Sequence, residues 1–326
     1  MSASSGADPV RVGVLGAGFV AGRHVEKLLS LEGACVVGVA DPDAARAEAL
    51  AGRAGAVALA TVEQLVDIGL DCLLVCVPPH QHGAPEELAV EAGLPILVEK
   101  PLSGDRETAE RLGRLLAERD HLAVVGYQWR HLDTWQVVAD LLRERPARLV
   151  VGAWLDKAPR TPWWADQASS GGQVVEQLTH VLDVARSFAG EAEVLAAAGA
   201  WDAAGPGDIA HVTGSTLRFT NGTVGSFTSS CLLPGGYRIA VEVIAPGLLA
   251  RLTESDLTVC DEHGERRLEP QVDPVRELDR AFLAAVSGDP SGIRTPYADA
   301  LRTHRLAWDV TDAVLAAGPV HGTGAS

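Results

Sequence analysis

The fold of this chain is indicated by residues 11–21, which read Arg-Val-Gly-Val-Leu-Gly-Ala-Gly-Phe-Val-Ala. An apolar, β-branched run of this kind is typical of a buried parallel strand. It leads directly into the pattern Gly16-x-Gly18-x-x-Ala21, which opens a helical stretch through residue 29. In such a unit the first glycine permits a tight turn, the second lets a pyrophosphate approach the backbone, and the small alanine lets helix and strand pack closely. The stretch therefore predicts a dinucleotide-binding start to a doubly wound sheet.

A second apolar strand, over residues 34–40, ends at Asp41, 25 residues after Gly16. An acid at this place can accept hydrogen bonds from the ribose hydroxyls of the adenosine, while the phosphates rest on the helix N-terminus at Phe19 and Val20. The alternative is a turn residue before Pro42. Because Asp41 would repel a 2′-phosphate, the pattern favours NAD over NADP, although Arg46 is close enough in sequence to weaken that preference.

Strand and helix patterns continue to alternate as far as residue 126. The remaining strands are expected at 71–77, 96–99 and 123–126, and helices at 61–66, 84–92 and 106–119. This alternation predicts a parallel sheet with helices on both faces, and ligands bind beyond the carboxyl ends of its strands. The residues expected at those ends are Val77, Pro78, Glu99, Lys100, Tyr127 and Gln128.

The pattern changes after residue 126. One strand is expected at 148–155, a helix at 172–187, and five further strands between residues 194 and 254. Asn221-Gly222 between two of these is a strong hairpin signal. The fold class is therefore α/β, with an N-terminal Rossmann sheet over residues 8–126 and a C-terminal α/β domain over 127–318 that has a largely antiparallel open sheet. We expect the helix at 298–316 to pack back on the first domain.

Composition excludes some classes of partner. The net charge of −16 argues against nucleic acid and anionic membranes, and no apolar run approaches the roughly 20 residues of a membrane span.

The five cysteines form no CxxC pair, so we expect free thiols in a reducing cytoplasm. The histidines have no compact ligand spacing, so no metal is expected. Residues 1–9 are expected to be a disordered lead-in, and the tail after Ala317 to be frayed.

Lys100 follows the strand at 96–99 and precedes Pro101, and it is one of only three lysines. A lysine can lose its proton and act as an acid or a base, whereas an arginine effectively cannot. The alternative for this segment is a strand end with a solvated lysine and a turn proline.

A second candidate group lies in residues 169–183. Glu176 and His180 are four apart and so share one helix face, and Asp183 lies three residues further on. A carboxylate beside an imidazole orients it and stabilises its protonated form. The alternative is an ordinary glutamate–histidine pair on a helix surface.

Five features together resemble the glucose–fructose oxidoreductase/inositol dehydrogenase (Gfo/Idh/MocA) family. In chain order they are Gly16-x-Gly18-x-x-Ala21, Pro78-Pro79-x-x-His82, Glu99-Lys100-Pro101, the segment Gly126-Tyr-Gln-Trp-Arg130, and Gly171-Gly172 before a helix with His180. The family usually has aspartate at the position of Glu176, and some members have an acid at that of Asp183. The resemblance also implies a cis peptide before Pro101.

The residue patterns and the resemblance together assign three sets of site residues. Lys100, His180 and Glu176 are the catalytic candidates, with His180 as the principal acid/base and Lys100 as the group that stabilises alkoxide. The cofactor is assigned to Gly16, Gly18, Phe19, Val20, Ala21, Asp41, Val77, Pro78, His82, Glu99, Lys100 and Gln128. A small polyhydroxylated substrate is assigned to Lys100, Arg130, Arg160, Trp163, Trp164, Glu176, His180 and Asp183.

Several alternatives stay open. Trp163 and Trp164 either stack on a sugar face or anchor their loop, and Arg130 can serve the cofactor side instead. The resemblance implies an NAD-dependent dehydrogenase or ketoreductase for a sugar, sugar acid or cyclitol, which works as a homodimer or homotetramer through the C-terminal sheet. NAD-assisted glycoside cleavage by transient oxidation and a non-enzymatic dinucleotide sensor are the competing functions, because fold alone does not decide between them.

Overall fold

The computed structural model describes residues 8–318, which form two β-sheets with helices packed on them. The expected N-terminal lead-in and C-terminal tail fall almost wholly outside the described residues. None of the described helices has the length and apolar character needed to cross a membrane.

The first sheet is entirely parallel, with strand order β3-β2-β1-β4-β5-β6. The chain starts in the middle of this sheet, so the strand order reverses between β1 and β4 and opens a crevice at their carboxyl ends. The strands are β1 Val10–Leu15, β2 Ala34–Ala40, β3 Val57–Leu59, β4 Cys72–Val75, β5 Ile96–Val98 and β6 Ala123–Val125. The helices between them are α1 Phe19–Leu28, α2 Ala44–Ala54, α3 Val62–Asp67, α4 Ala84–Glu91 and α5 Arg106–Glu118.

The sequence patterns did not indicate α2 and β3. The buried face of helix α2, at Ala47, Leu50 and Ala51, contains only one large apolar side chain, so its apolar signal in the sequence is weak. Strand β3 is a three-residue edge strand without a fully buried residue. Sequence-based assignment depends on a clear apolar pattern, which neither element provides.

The second sheet has eight strands in the order β14-β13-β12-β11-β7-β10-β9-β8. Only β7 and β10 pair in parallel, so the largely antiparallel sheet is confirmed. The hairpin between β9 and β10 turns at Asn221-Gly222, where Gly222 has φ +85°. The strands are β7 Leu149–Leu155, β8 Ala192–Ala200, β9 Val212–Phe219, β10 Val224–Ser230, β11 Arg238–Ala245, β12 Leu248–Leu252, β13 Leu257–Asp261 and β14 Gly264–Leu268.

Among residues 8–318, helices pack on one face of the second sheet and none lies on the other face. The helices after residue 126 are α6 Asp133–Glu144, α7 Gln167–Ser170, α8 Thr179–Ala189, α9 Pro274–Val286 and α10 Tyr297–Ala317. Apolar side chains of α6, α8 and α10 share a core with inward-facing sheet residues such as Val150 and Phe227. On the open face, Val224, Ser226 and Thr228 of β10 are exposed.

The two final helices return to the first sheet. In α9, Leu278 and Phe282 pack in the core that contains Val12 and Val25. In α10, Tyr297 and Leu301 belong to the core around β4–β6. Later residues of the same helix, such as Leu306 and Val310, pack instead in the core beneath the second sheet. The division of the chain at residue 126 stays a prediction.

Candidate active site

The glycine loop between β1 and α1 has the geometry that a pyrophosphate requires. Gly16 has φ +92°, and a Cβ there would lie 2.3 Å from the carbonyl oxygen of Cys76. Nothing lies within 4 Å of a Cβ built on Gly18, which is the N-cap of α1 and provides no side-chain cap. The N–H groups of the first turn are therefore left for an anion, so the residues present fit a dinucleotide.

The residues around this loop divide between the cleft and the core. Phe19 is 82% exposed at its mouth and Val20 is 38% exposed, whereas Ala21 is fully buried. Ala21 thus provides the close packing of helix on strand and is not open to a ligand.

Asp41 ends β2 beside the glycine loop, and its carboxylate is already hydrogen-bonded. Oδ2 accepts from the backbone N–H of Ala17 at 2.8 Å, and Oδ1 accepts from Asp43 N–H at 2.9 Å. The Arg46 guanidinium also donates to Oδ1, at 3.0 Å. Asp41 therefore fixes the loop, and Arg46 partly neutralises the charge that would repel a 2′-phosphate.

A cleft of about 440 Å³ runs from this loop toward the second sheet. It brings together most of the predicted cofactor residues with part of the predicted substrate set. Its lining from the first sheet includes Gly16, Gly18, Phe19, Val20, Asp41, Val77, Pro78, Glu99 and Lys100. The lining from the second half of the chain is Pro159, Thr161, Trp163, Trp164 and Glu176.

Lys100 and Glu176 meet across this cleft. The Lys100 ammonium donates to Glu176 Oε1 at 2.9 Å and to the backbone carbonyl oxygen of Glu176 at 2.8 Å. The other carboxylate oxygen, Oε2, accepts from the indole N–H of Trp164 at 2.6 Å. Trp164 is only 1% exposed, so it anchors its loop and holds Glu176, and it has no open ring face for a sugar. Trp163 is half-buried in the lining.

A π-helical segment, Val174–Leu178, precedes α8, where the sequence pattern predicted one regular helix over residues 172–187. It follows the turn at Gly171 and Gly172, which have φ +76° and +86°. Single π-turns inside helices often occur at functional sites, and here the segment contains Glu176, whose carbonyl oxygen bonds Lys100. The peptide between Lys100 and Pro101 is cis, as the resemblance implied.

His180 lies deeper than expected, at 4% exposure and outside the residues that line the cleft. Its ring stacks on Trp154 at a centroid distance of 5.7 Å and meets the edge of Tyr127 at 5.9 Å. Burial, together with the positive charges of Lys100 and Arg23, lowers the pKa of His180 well below its ordinary value. Glu176 bonds Lys100 and Trp164, and it does not bond His180.

Arg130 and Asp183, which were predicted to bind the substrate, bind each other instead. The guanidinium of Arg130 makes a two-pronged ion pair with Asp183, with both N–O distances 2.7 Å, and both residues are buried. Asp299 of α10 also contacts Arg130, at 2.9 Å, and Thr303 donates to Asp183 at 2.9 Å. Because each charge is satisfied inside the protein, this group joins three segments of the second half and is not available to a substrate.

Three other predicted ligands lie outside the cleft lining. Arg160 is exposed on its loop, and Gln128 is half-buried. His82 is buried, with Nδ1 2.5 Å from Glu86 Oε1. The His82 side chain therefore fixes the start of α4, because Glu86 also accepts the N–H of Gly83.

Comparison with known proteins gives the same family as the motifs. A family described as an oxidoreductase family with an NAD-binding Rossmann fold (GFO_IDH_MocA) matches residues 10–127, and its C-terminal domain matches residues 138–246. The myo-inositol dehydrogenase Hyg17 of Streptomyces leeuwenhoekii is 34% identical over 248 residues, which are 72% of this chain and 73% of Hyg17. The chain belongs to the Gfo/Idh/MocA family.

Two further comparisons, one by sequence and one by structure, agree with this. Inositol 2-dehydrogenase of Corynebacterium glutamicum (strain R) is 31% identical over 185 residues, and the match spans 56% of this chain and 54% of that enzyme. The crystal structure of GenD2 from gentamicin A biosynthesis, in complex with NAD, has a TM-score of 0.80 at 24% identity and covers 97% of this chain and 96% of its own. That likeness shows the shared Gfo/Idh/MocA fold.

This Gfo/Idh/MocA chain also has buried groups that the sequence did not indicate. His24 of α1 lies between Glu99 and Asp279, which are 75 and 255 residues away. Pro159 and Thr161 line the cleft although no motif contains them. Nothing local in the sequence predicts such contacts, because they depend on how α9 and the 156–166 loop fold back.

Within residues 8–318 no group of three or more histidine, cysteine, aspartate or glutamate side chains has the arrangement of a metal site.

Proposed function

We propose that this chain transfers a hydride between NAD and a secondary alcohol or ketone carbon of a sugar, sugar acid or cyclitol. The observation that carries the proposal is the Lys100–Glu176 contact of 2.9 Å in the same cleft as the glycine loop. A proton-handling ammonium beside the expected nicotinamide end of the cofactor is what oxidation of a hydroxyl carbon needs.

The nicotinamide, when bound, supplies the hydride acceptor or donor. Lys100 acts on the substrate oxygen. An ammonium has three N–H donors, and two of them face oxygens of Glu176, so the third is left for a substrate hydroxyl. As the hydride leaves carbon, negative charge develops on that oxygen, and the fixed ammonium stabilises it.

We propose His180 as the acceptor of the hydroxyl proton, which must reach the ring from the cleft, because His180 is buried and does not line it. Its lowered pKa means that the ring is neutral before substrate binds, and a neutral imidazole is able to accept a proton. The negative charge that develops on the substrate oxygen offsets the field of Lys100 and raises the proton affinity of the ring. Glu176 orients Lys100 and accepts a hydrogen bond from a neighbouring substrate hydroxyl.

NAD is the proposed cofactor because Asp41 lies in the cleft lining at the end of β2. Each carboxylate oxygen can accept two hydrogen bonds, so Oδ2, which accepts only that of Ala17, can accept one from a ribose hydroxyl, and the charge disfavours a 2′-phosphate even with Arg46 beside it. A polyhydroxylated substrate is supported by the cleft's half-buried Trp163 and by the names of the inositol dehydrogenases that this chain resembles.

A second copy of the chain is the proposed partner, in the cytoplasm. The open face of the second sheet exposes small and apolar side chains, including Thr216 of β9 and Val224 and Ser226 of β10. No helix of the described residues covers this face, and a flat face of this kind pairs readily with a copy of itself.

The decisive experiment is a screen of polyols, aldoses and cyclitols with NAD and NADP, followed by absorbance of the reduced cofactor. With the best substrate, Lys100→Met is expected to lower kcat by a factor of about 10² to 10⁴ while NAD still binds. Lys157→Met is the matched control, because Lys157 is an exposed lysine outside the cleft lining.

Three outcomes would contradict the proposal. Near wild-type turnover by Lys100→Met would exclude the assigned role of the ammonium. Release of an aglycone from glycosides without net reduced cofactor would favour glycoside cleavage by transient oxidation, and cofactor binding without any turnover would favour a dinucleotide sensor.

A further inference from the structure

A buried chain of three ionisable side chains lies behind the cleft. His24 Nε2 is 3.1 Å from Glu99 Oε1, and His24 Nδ1 is 2.6 Å from Asp279 Oδ1. His24 and Asp279 are each 1% exposed and Glu99 is 8% exposed. The three residues come from α1, from the segment after β5 and from α9, so this relay joins elements that are far apart in sequence.

Hydrogen-bond chemistry restricts the charge of this relay. An ionised carboxylate only accepts hydrogen bonds, whereas a neutral imidazole has one donor nitrogen and one acceptor. With an ionised carboxylate at each ring nitrogen, both nitrogens donate and the ring is the imidazolium; a proton on Asp279 would instead leave a neutral ring that accepts it at Nδ1. The two carboxylates raise the pKa of His24 to about 10, against the opposing effect of burial, which is the largest single contribution.

The other titratable groups around the relay are neutral or compensated. Burial raises the pKa of the thiols of Cys72 and Cys76, so neither carries charge at neutral pH. Asp273, at the N-cap of α9, pairs with Lys27 at 3.1 Å. Burial raises the pKa of Asp279, and the charge of His24 opposes that rise.

Glu99 connects the relay to the cleft. It lies in the cleft lining, and its Oε2 accepts the backbone N–H of Lys100 at 3.2 Å. A Cβ on Gly126 would lie only 2.1 Å from Glu99 Oε1, so a glycine is required opposite this carboxylate. The Glu99 carboxylate thus packs closely against Gly126 on one side and bonds His24 on another.

We propose that His24 is a positioning residue, whose imidazolium, clamped between Glu99 and Asp279, locks the cofactor-binding helix α1 to the segment that carries Lys100. The inference rests on the proposed function, in which α1 would hold the pyrophosphate and Lys100 would act on the substrate. Asp279 takes part from outside the cleft by keeping His24 charged.

The first test measures the charge of His24 without any reaction. Imidazole ¹⁵N spectra of labelled protein are recorded at about pH 8, above the ordinary histidine pKa of about 6.5. The resonances of His24 are assigned by their loss in His24→Asn. Two protonated ring nitrogens are expected for His24; a neutral tautomer at this pH would overturn the proposal.

The second test measures position. Misplacement of reacting groups by about 1 Å costs about a hundredfold in rate, so His24→Asn is expected to lower kcat by about that factor and to weaken NADH binding. His304→Asn is the matched control, because His304 is also 1% exposed and accepts the Trp308 indole N–H at 2.9 Å outside the cleft. Equal effects of the two variants on kcat and on NADH affinity would show a merely structural role and overturn the proposal.

A third variant covers the case in which His24→Asn does not fold. Asp279→Asn keeps the shape and removes one of the two charges that hold His24 protonated, so the pKa of His24 falls below its native value of about 10. NADH affinity and kcat are then expected to fall at a lower pH than in the wild type, because the variant loses the imidazolium earlier, whereas the wild-type ring loses its proton only near pH 10. Superimposable pH profiles would overturn the proposal.

The readouts separate this inference from the proposed function. If wild-type protein binds NADH but oxidises none of the screened alcohols, the proposed reaction fails. The relay is then judged by the ¹⁵N spectra and by the pH dependence of NADH affinity, which involve no turnover.

Discussion

Asp41 is the single side chain on which the proposed choice of cofactor depends. Its carboxylate bonds Ala17 N–H and the Arg46 guanidinium, and it lies in the cleft lining. In Asp41→Ala the repulsion of a 2′-phosphate disappears, and Arg46, which keeps only Asp43 as an acidic partner, attracts it more strongly. We expect the ratio of kcat/KM for NAD over NADP to fall by more than about tenfold, which corresponds to about 1.4 kcal/mol.

Steady-state kinetics with both cofactors measure this ratio. The control is Asp43→Ala, which removes the neighbouring carboxylate that pairs with Arg46 at 3.3 Å and caps α2. An unchanged ratio in Asp41→Ala would mean that another group selects the cofactor.

The indole N–H of Trp164 is expected to affect turnover through Glu176. Trp164→Phe keeps most of the buried ring but removes the donor 2.6 Å from Glu176 Oε2. Glu176 then loses one of its two side-chain partners and holds Lys100 less firmly. A charge-assisted hydrogen bond contributes about 1.5–3 kcal/mol, so we expect kcat to fall by about tenfold or more.

Trp135→Phe is the control for this change, because its indole N–H bonds Ser187 at 3.0 Å away from the cleft. Rates and unfolding curves of both variants are compared. Equal rates for the two, at equal stability, would contradict the role of Trp164.

At the residue scale, the sequence predicted those site residues that belong to local motifs. Lys100 follows a strand end and Glu176 follows a glycine turn, and both line the cleft. The sequence did not predict the ion pair between Arg130 and Asp183, or the stacking of Trp154 on His180. Burial of these side chains depends on residues distant in the chain. Long charged side chains look equally available in a sequence whether they meet a substrate or a buried partner.

At the scale of elements, the buried ion pair of Arg130 and Asp183 links the 3₁₀ turn Gln128–His131 to α8. Asp183→Asn leaves Arg130 buried with Asp299 as its remaining acid. Removing one partner of a buried pair costs about 3–5 kcal/mol, and we expect a loss near about 3 kcal/mol in the free energy of unfolding. KM for the substrate is expected to stay within about twofold, since the pair faces no ligand.

Urea unfolding and steady-state kinetics check both halves of that prediction. Asp140→Asn serves as the control because its pair with Arg143 is exposed and is worth only about 0.5 kcal/mol. A large rise in KM for Asp183→Asn without loss of stability would restore the substrate-binding role.

The elements that the sequence predicted well are those with apolar periodicity or turn chemistry, such as β2, α5 and the hairpin at Asn221-Gly222. The π-helical segment was not predictable, because an i→i+5 turn has the same composition as an α-helical one. Its presence depends on tertiary contacts, among them the Lys100 ammonium on the Glu176 carbonyl oxygen.

At the scale of the whole molecule, the order of the motifs predicted two sheets, one parallel and one largely antiparallel. Helix α9 packs against the first sheet through contacts between residues distant in the sequence. Asp279 bonds His24, and Phe282 lies in the same core as Val25. These contacts make the packing of helix α1 depend on helix α9, about 255 residues later in the chain, which no local pattern indicates.

The open face of the second sheet provides the last prediction. Ser226 is exposed on β10, between Thr216 of β9 and Val151 of β7. If two copies meet through this face, Ser226→Arg buries an unpaired charge in the interface, at a cost of about 3 kcal/mol. We expect the dimer dissociation constant, from sedimentation equilibrium, to rise by about a hundredfold. Ser291→Arg, which adds the same charge at an exposed serine far from this face, is expected to leave it unchanged. A Ser226→Arg protein that stays as oligomeric as the wild type would place the interface elsewhere, and a monomeric wild type would exclude the partner altogether.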